Sequence, residues 1–264
     1  MTNTPTFENV IVEFRDRVAT VVLNRPEQRN PLSIPMQVDL TAALEWASGE
    51  PDCRVVVLTG AGEKAFSAGA DLGSLNDDAS ELVKYHSREL FRDLFSVIQR
   101  LGKPLVGRIN GHAMAGGFGL ACACDIVVAA ESATFGTPEI NVGLWPMMLQ
   151  ALMIRNLPRK FVLRMIMLGE RWTAEQMHQV GFVSEVAPYA DLDTAVAKIT
   201  GQLASRSPLV MRLGRDAFYR QQDMELGAAL AYLHSSLSLV SLSEDAREGI
   251  AAFVEKRQPE FRGR

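Results

Sequence analysis

Apolar and polar positions change their spacing several times along this chain, and each change marks an element. Val10-Ile11-Val12 and Val18-Ala19-Thr20-Val21-Val22-Leu23 cluster β-branched residues on either side of Asp16-Arg17. That pattern predicts a hairpin, broken afterwards by Asn24-Arg25-Pro26-Glu27. From Met36 to Trp46 the residues Met36, Leu40, Ala43 and Leu44 stand at helical spacing, with Ser33 and Pro35 at the start. Arg54 to Thr59 reads as a short buried strand, and Gly60 to Gly73 as a glycine and alanine loop. Ala79 to Gln99 carries Leu82, Tyr85, Leu90, Leu94 and Ile98, the stripe of an amphipathic helix.

Strands then alternate with helices through Pro104–Ile109 and Ile126–Ala129, an α/β signature. Between them, Asn110-Gly111-His112-Ala113-Met114-Ala115-Gly116-Gly117-Phe118-Gly119-Leu120 reads as a glycine turn leading into a buried helix. Free amides at such a helix start can hold a developing negative charge, and glycine lets a ligand come close. After Phe161 the pattern turns helical; Thr173 to Gln176 fits a capping box, Gly181 is the stop, and Phe182–Val186 reads as a last strand. Residues 191–257 are helical in pattern, so a boundary is placed near 200, with 1–200 an α/β core and 201–264 a helical region. Leu230, Leu237, Ile250 and Phe253 in that region exceed what one chain can cover, which points to subunit packing.

Composition narrows the partners. A 264-residue chain that is 47% hydrophobic supports a sizeable core, and a net charge of −4 gives no overall basic field for nucleic acid. Cys53, Cys122 and Cys124 form no disulfide framework, and the latter two sit in an alanine-rich run that suits a core. His86, His178 and His234 show no metal spacing. Met1 to Glu8 lacks a secretory pattern, and no apolar stretch approaches the roughly 20 residues of a membrane span, so a cytoplasmic location is expected.

A set of segments in fixed order carries more. Leu23-Asn24-Arg25-Pro26 comes first, then Lys64-Ala65-Phe66-Ser67-Ala68-Gly69-Ala70-Asp71-Leu72 and Lys103-Pro104 with Asn110-Gly111. Gly116-Gly117, Cys124-Asp125, Phe135-Gly136-Thr137-Pro138-Glu139, Gly181-Phe182-Val183 and the Glu244 to Phe253 stretch follow. Together they resemble the crotonase family, also called the enoyl-CoA hydratase/isomerase family, over nearly the whole chain. The resemblance implies a spiral of ββα turns and a C-terminal helical region that builds trimers, often paired into hexamers. It implies acyl-CoA thioesters as substrates, with coenzyme A as their carrier and no prosthetic group.

By the same resemblance, the amides of Ala70 and Gly116 form an oxyanion hole for the thioester carbonyl, and Glu139 is the acid/base. Glu139 is followed by the mostly apolar run Ile140 to Trp145, where its charged form is disfavoured. Ala68 would lie near the adenine, and Arg25 and Lys64 would meet the CoA phosphates, although solvated surface charge is an alternative for both cations. Phe253 and Lys256 would reach a neighbouring subunit's CoA. Asp71 reads as a turn or cap residue, and His112 as a packing residue.

Two segments depart from the hydratase pattern. Gly119 stands where hydratases carry a second glutamate, and no other acidic residue lies between Lys103 and Asp125. One carboxylate suits proton transfer between C4 and C2, a Δ3 to Δ2 isomerisation, better than rapid hydration. Met147, Met148 and Leu149 stand where the family often begins a helix with glycines, and are read either as acyl-pocket lining or as core. A one-glutamate 2-enoyl-CoA hydratase and a non-catalytic acyl-CoA binding protein remain the alternative functions. Met147 replaces the aspartate a hydrolytic dehalogenase would need, and no serine nucleophile occurs between Lys103 and Ala130.

Overall fold

In the computed structural model, residues 4–70 and 80–264 are described, with the side chains of residues 81, 83, 84, 86 and 87 left aside. The hairpin forms as β1 (Val10–Arg15) and β2 (Val18–Leu23), antiparallel with Val10 opposite Leu23. α1 (Ile34–Gly49) starts where the sequence places its cap: the Ser33 hydroxyl accepts from the Met36 amide, and Pro35 stands in the first turn. β3 (Val55–Gly60) is buried along its whole length.

The chain then repeats one unit. A long strand joins a large sheet, a short strand joins a small one, and helix follows. β3, β4 (Ala65–Ser67) and α2 (Glu81–Gln99) make the first turn. β5 (Leu105–Ile109), β6 (His112–Met114) and α3 (Gly116–Ala123) make the second. β7 (Ile126–Ala130) and β8 (Thr134–Gly136) begin the third, which continues into α4 (Leu149–Asn156) and α5 (Arg159–Leu168). β9 (Arg171–Thr173), α6 (Ala174–Gln179) and β10 (Glu185–Ala187) close the core. This is the spiral α/β fold that the resemblance implies.

The large sheet runs β1-β2-β3-β5-β7-β10 and is parallel from β2 onward. Both faces of its central strands are covered, which is why β3 reads as an unbroken apolar run. Val56 and Leu58 face Leu40, Leu44, Leu94, Ile98 and Phe118, while Val55 and Val57 face Leu192, Ala195 and Val196 of α7 (Leu192–Ala204). The small sheet runs β4-β6-β8-β9, with β4, β6 and β8 parallel and β9 antiparallel.

Three local expectations shift. The loop expected over Gly60–Gly73 contains β4, whose three residues are too few to show a period. The buried helix expected after the glycine turn begins within it, at Gly116. The strand expected over Phe182–Val186 lies at Glu185–Ala187 instead. Phe182 is buried in the preceding turn because its ring meets Phe118 at 5.3 Å and Phe135 at 5.7 Å, so packing rather than pairing selects it. The capping box at the start of α6 forms as read, with Thr173 and Gln176 bonded reciprocally, and Gly181 has φ +81°.

The last three helices, α8 (Pro208–Gln221), α9 (Leu226–Ser241) and α10 (Glu244–Glu255), leave Phe218, Leu230, Leu237, Leu239, Leu242, Ile250, Phe253 and Val254 exposed. Among the described residues, no single helix is long and apolar enough to cross a membrane.

Candidate active site

The small sheet gathers the residues singled out in sequence. β4, β6 and β8 are parallel neighbours, in register at Ser67, Ala113 and Phe135. Ala70, Gly116 and Glu139 lie two or three residues beyond the ends of these strands, all on the same side of the sheet. Adjacent strands lie about 4.8 Å apart, so the three strand ends fall within about 10 Å.

Backbone packing brings the first two closer. Gly69 has φ +88°, and a Cβ built there would lie 2.6 Å from Ala115 Cβ and 2.8 Å from the Gly116 amide nitrogen. Only glycine allows this approach. A short parallel bridge to Pro31 and a hydrogen bond from the Leu32 amide to the Gly69 carbonyl (2.8 Å) hold the loop from behind. The buried Ser67 hydroxyl donates to the Asn30 carbonyl (2.7 Å) and accepts from the Gly69 amide (3.2 Å). Asn30 adds side-chain bonds to the carbonyls of Ala61, Ala65 and Phe66. Sequence reasoning gave neither residue a role; Ser67 signals itself as a hydroxyl among small and apolar residues, whereas Asn30 is one polar residue among several between Asn24 and Pro31.

Ala115 was missed as well. It precedes α3 with φ 49° and ψ −124°, a conformation costing a non-glycine residue about 1–3 kcal/mol. Its own amide donates to the Gly136 carbonyl (2.9 Å), and that anchor turns the next amide, Gly116, out of the strand direction. Among the described residues, neither the Ala70 nor the Gly116 amide has a hydrogen-bond acceptor. Gly116 also opens α3, whose first-turn amides favour negative charge.

Glu139 lies in a short 3-10 helix, Pro138–Val142, which ends at Gly143 with φ +74°. One carboxylate oxygen, Oε2, is buried without a hydrogen-bond partner among the described residues. Burial pushes the Glu139 carboxyl above its ordinary range, opposed only by a bond to its own backbone. Among the described residues, no charged side chain contributes to that shift.

The second-carboxylate position is tightly packed. A Cβ at Gly119 would meet Leu149 Cγ at 3.0 Å and Phe95 Cζ at 3.1 Å. Of the three bulky residues after Pro146, Leu149 is core, while Met147 and Met148 are exposed. Phe91 stands one turn before Phe95 on α2, with its Cζ 3.1 Å from where a Gly116 Cβ would be.

The residues read as CoA contacts divide into two groups. Arg25, Lys64 and Ala68 lie on two segments that touch: the Ala68 amide donates to the Arg29 carbonyl (2.9 Å), and Gly62 packs on Pro26. Arg25 already bonds the Ser33 hydroxyl (3.2 Å) and the Gln28 side chain, whereas Lys64 is exposed. Phe253, 85% exposed, lies on α10, and Lys256 caps its end, both in the helical region. His112 bonds Thr134 Oγ1 at 2.8 Å, a structural role, and burial with nearby Arg171 and Arg29 lowers its pKa. Asp71 and most of the expected pocket segment Leu72–Tyr85 lie outside the described residues.

A family model described as enoyl-CoA hydratase/isomerase matches residues 13–264. The chain belongs to that family. It is therefore an acyl-CoA enzyme of the crotonase type. The 2,3-dehydroadipyl-CoA hydratase of Escherichia coli K12 is 37% identical over 97% of this chain and 99% of its own length. The (E)-benzylidenesuccinyl-CoA hydratase of Thauera aromatica is 34% identical over 96% and 99%. Among solved structures, enoyl-CoA hydratase from Mycobacterium smegmatis superposes with a TM-score of 0.93 at 30% identity, covering 96% of this chain and 99% of that one.

Proposed function

We propose that this enzyme holds an acyl-CoA thioester with its carbonyl oxygen between the Ala70 and Gly116 amides, and that Glu139 transfers a proton between C2 and C4. Glu139 takes the C2 proton of a 3-enoyl thioester. The electron pair moves toward the carbonyl, and the charge on oxygen is met by the two amides, each worth about 3 kcal/mol in sites of this kind. The double bond shifts to C2–C3 as the same carboxyl returns its proton to C4. No second carboxylate is needed, and Gly119, packed tightly against Phe95 and Leu149 where a second glutamate would stand, is the observation that carries this reading.

Hydration of a 2-enoyl thioester by Glu139 alone is the second reading, favoured by relatives that are named hydratases. A non-catalytic acyl-CoA binding role fits less well, because the carboxyl is retained with an oxygen that has no partner among the described residues. Arg25, Lys64 and Ala68 would carry the CoA end. Phe253 and Lys256 would do so from a neighbouring subunit of a homotrimer or a dimer of trimers, assembled through residues 201–264.

Incubation with 3-enoyl-CoA and 2-enoyl-CoA, followed by absorbance of the conjugated thioester and by product mass, separates the readings. Isomerisation is expected to exceed hydration, and Glu139→Gln to reduce it by about 10²- to 10⁴-fold. Undiminished isomerisation by that variant would remove Glu139 from the mechanism.

A further inference from the structure

α2 and α3 run past one another in step. Phe95 covers Gly119, and Phe91, one turn earlier, covers Gly116. One more turn back along α2 therefore passes beyond the N-terminus of α3, on the side where the proposed carbonyl sits. Positions 84, 88, 91 and 95 are spaced four, three and four apart and share one helix face. Leu94 and Ile98 occupy the neighbouring face and fill the core.

Arg88 is the described residue on that next turn. Its Cα stands about 4.5 Å along the helix axis from that of Phe91, and helical side chains lean toward the N-terminus. It is exposed and has no ion pair among the described residues. Arg92, by contrast, pairs with Asp93 at 2.8 Å and Glu89 at 3.5 Å. Beside apolar rings, the helix thus offers a cation one turn beyond the place proposed for the thioester carbonyl.

We propose that Arg88 reads a second anionic group at the far end of the acyl chain, making the substrate a CoA thioester of a short dicarboxylic acid. This rests on the placement of the thioester at Gly116 proposed above. A carboxylate there would meet a guanidinium, which binds it in a two-pronged fashion.

Binding of two unreactive saturated thioesters, adipyl-CoA and hexanoyl-CoA, tests this without requiring turnover. Calorimetric titration is expected to show adipyl-CoA bound about 10- to 100-fold more tightly, the range of a charge-assisted hydrogen-bonded pair. Arg88→Gln should bring that ratio close to one, with Arg88→Lys keeping part of it, and melting curves confirm that both variants are folded. Equal or tighter binding of hexanoyl-CoA by the unaltered protein overturns the proposal, as does an unchanged ratio in Arg88→Gln. Failure of the enolate reading would instead appear as Glu139-independent turnover, which these titrations do not measure.

Discussion

Glu139 is held in surroundings that disfavour its charge, and that has a consequence for stability as well as rate. Its folded pKa lies above the ordinary value of 4.5, so its favourable contribution is complete below that value and is lost as pH rises through the folded pKa. Glu139→Gln is therefore expected to melt higher than the parent near pH 8 and level with it near pH 4, values that bracket the carboxyl range. Equal melting temperatures at both would show that the carboxyl is solvated. In the parent, the acidic limb of the rate profile should be displaced upward, because the base must be ionised. Gly69 makes the other prediction at this scale. Gly69→Ala meets Ala115 and the Gly116 amide below 3 Å at a positive φ, so it should cost about 1–3 kcal/mol on denaturant unfolding and lower turnover by more than tenfold. Gly119→Glu should destabilise by about 1–3 kcal/mol through overpacking. Combined with Leu149→Ala, which opens the space, it should restore stability and increase hydration of 2-enoyl-CoA; no gain in hydration would show that the missing carboxylate is not what limits it.

At the scale of elements, α8 is fastened by one buried cation. Arg215 donates to Asp125 Oδ2 (2.8 Å) and to the carbonyls of Gln99 (2.9 Å) and Ile98 (3.0 Å), which end α2. Asp125 also accepts from the Leu105 amide (2.7 Å) and Tyr219 Oη (2.5 Å), so one carboxylate joins β5, the turn before β7, and α8. Arg215→Met should cost about 3 kcal/mol, because it leaves Asp125 without its charge partner. Hydrogen exchange should quicken in α8 and at the end of α2 while β3 and β7 stay protected. This cluster was not legible in sequence: Cys124-Asp125 and Arg215 lie 90 residues apart, and nothing local pairs them.

On the scale of the whole molecule, the apolar residues left outside on α9 and α10 need cover. The proposed trimer or hexamer predicts a sedimentation mass three or six times that of the 29.0 kDa chain. Ile250→Asp with Val254→Asp should shift that mass toward the monomer, since each side chain is about 70% exposed in the single chain. A monomer in the unaltered protein would sink the assembly and, with it, the roles of Phe253 and Lys256.

Period and turn chemistry alone determined the hairpin, β3, the start of α1 and the capping box of α6, because each depends on residues within a few positions. Family likeness located Glu139, Gly116 and Ala70 in the chain. Tertiary structure decided what three-residue strands cannot announce: that β4, β6 and β8 lie side by side and deliver those residues to one edge. It also decided that Gly119 is not an empty place, since the two side chains that fill it come from α2 and α4, 24 residues before it and 30 after it. Short strands and close approaches of this kind are fixed by long-range packing, and packing has no local spacing to read.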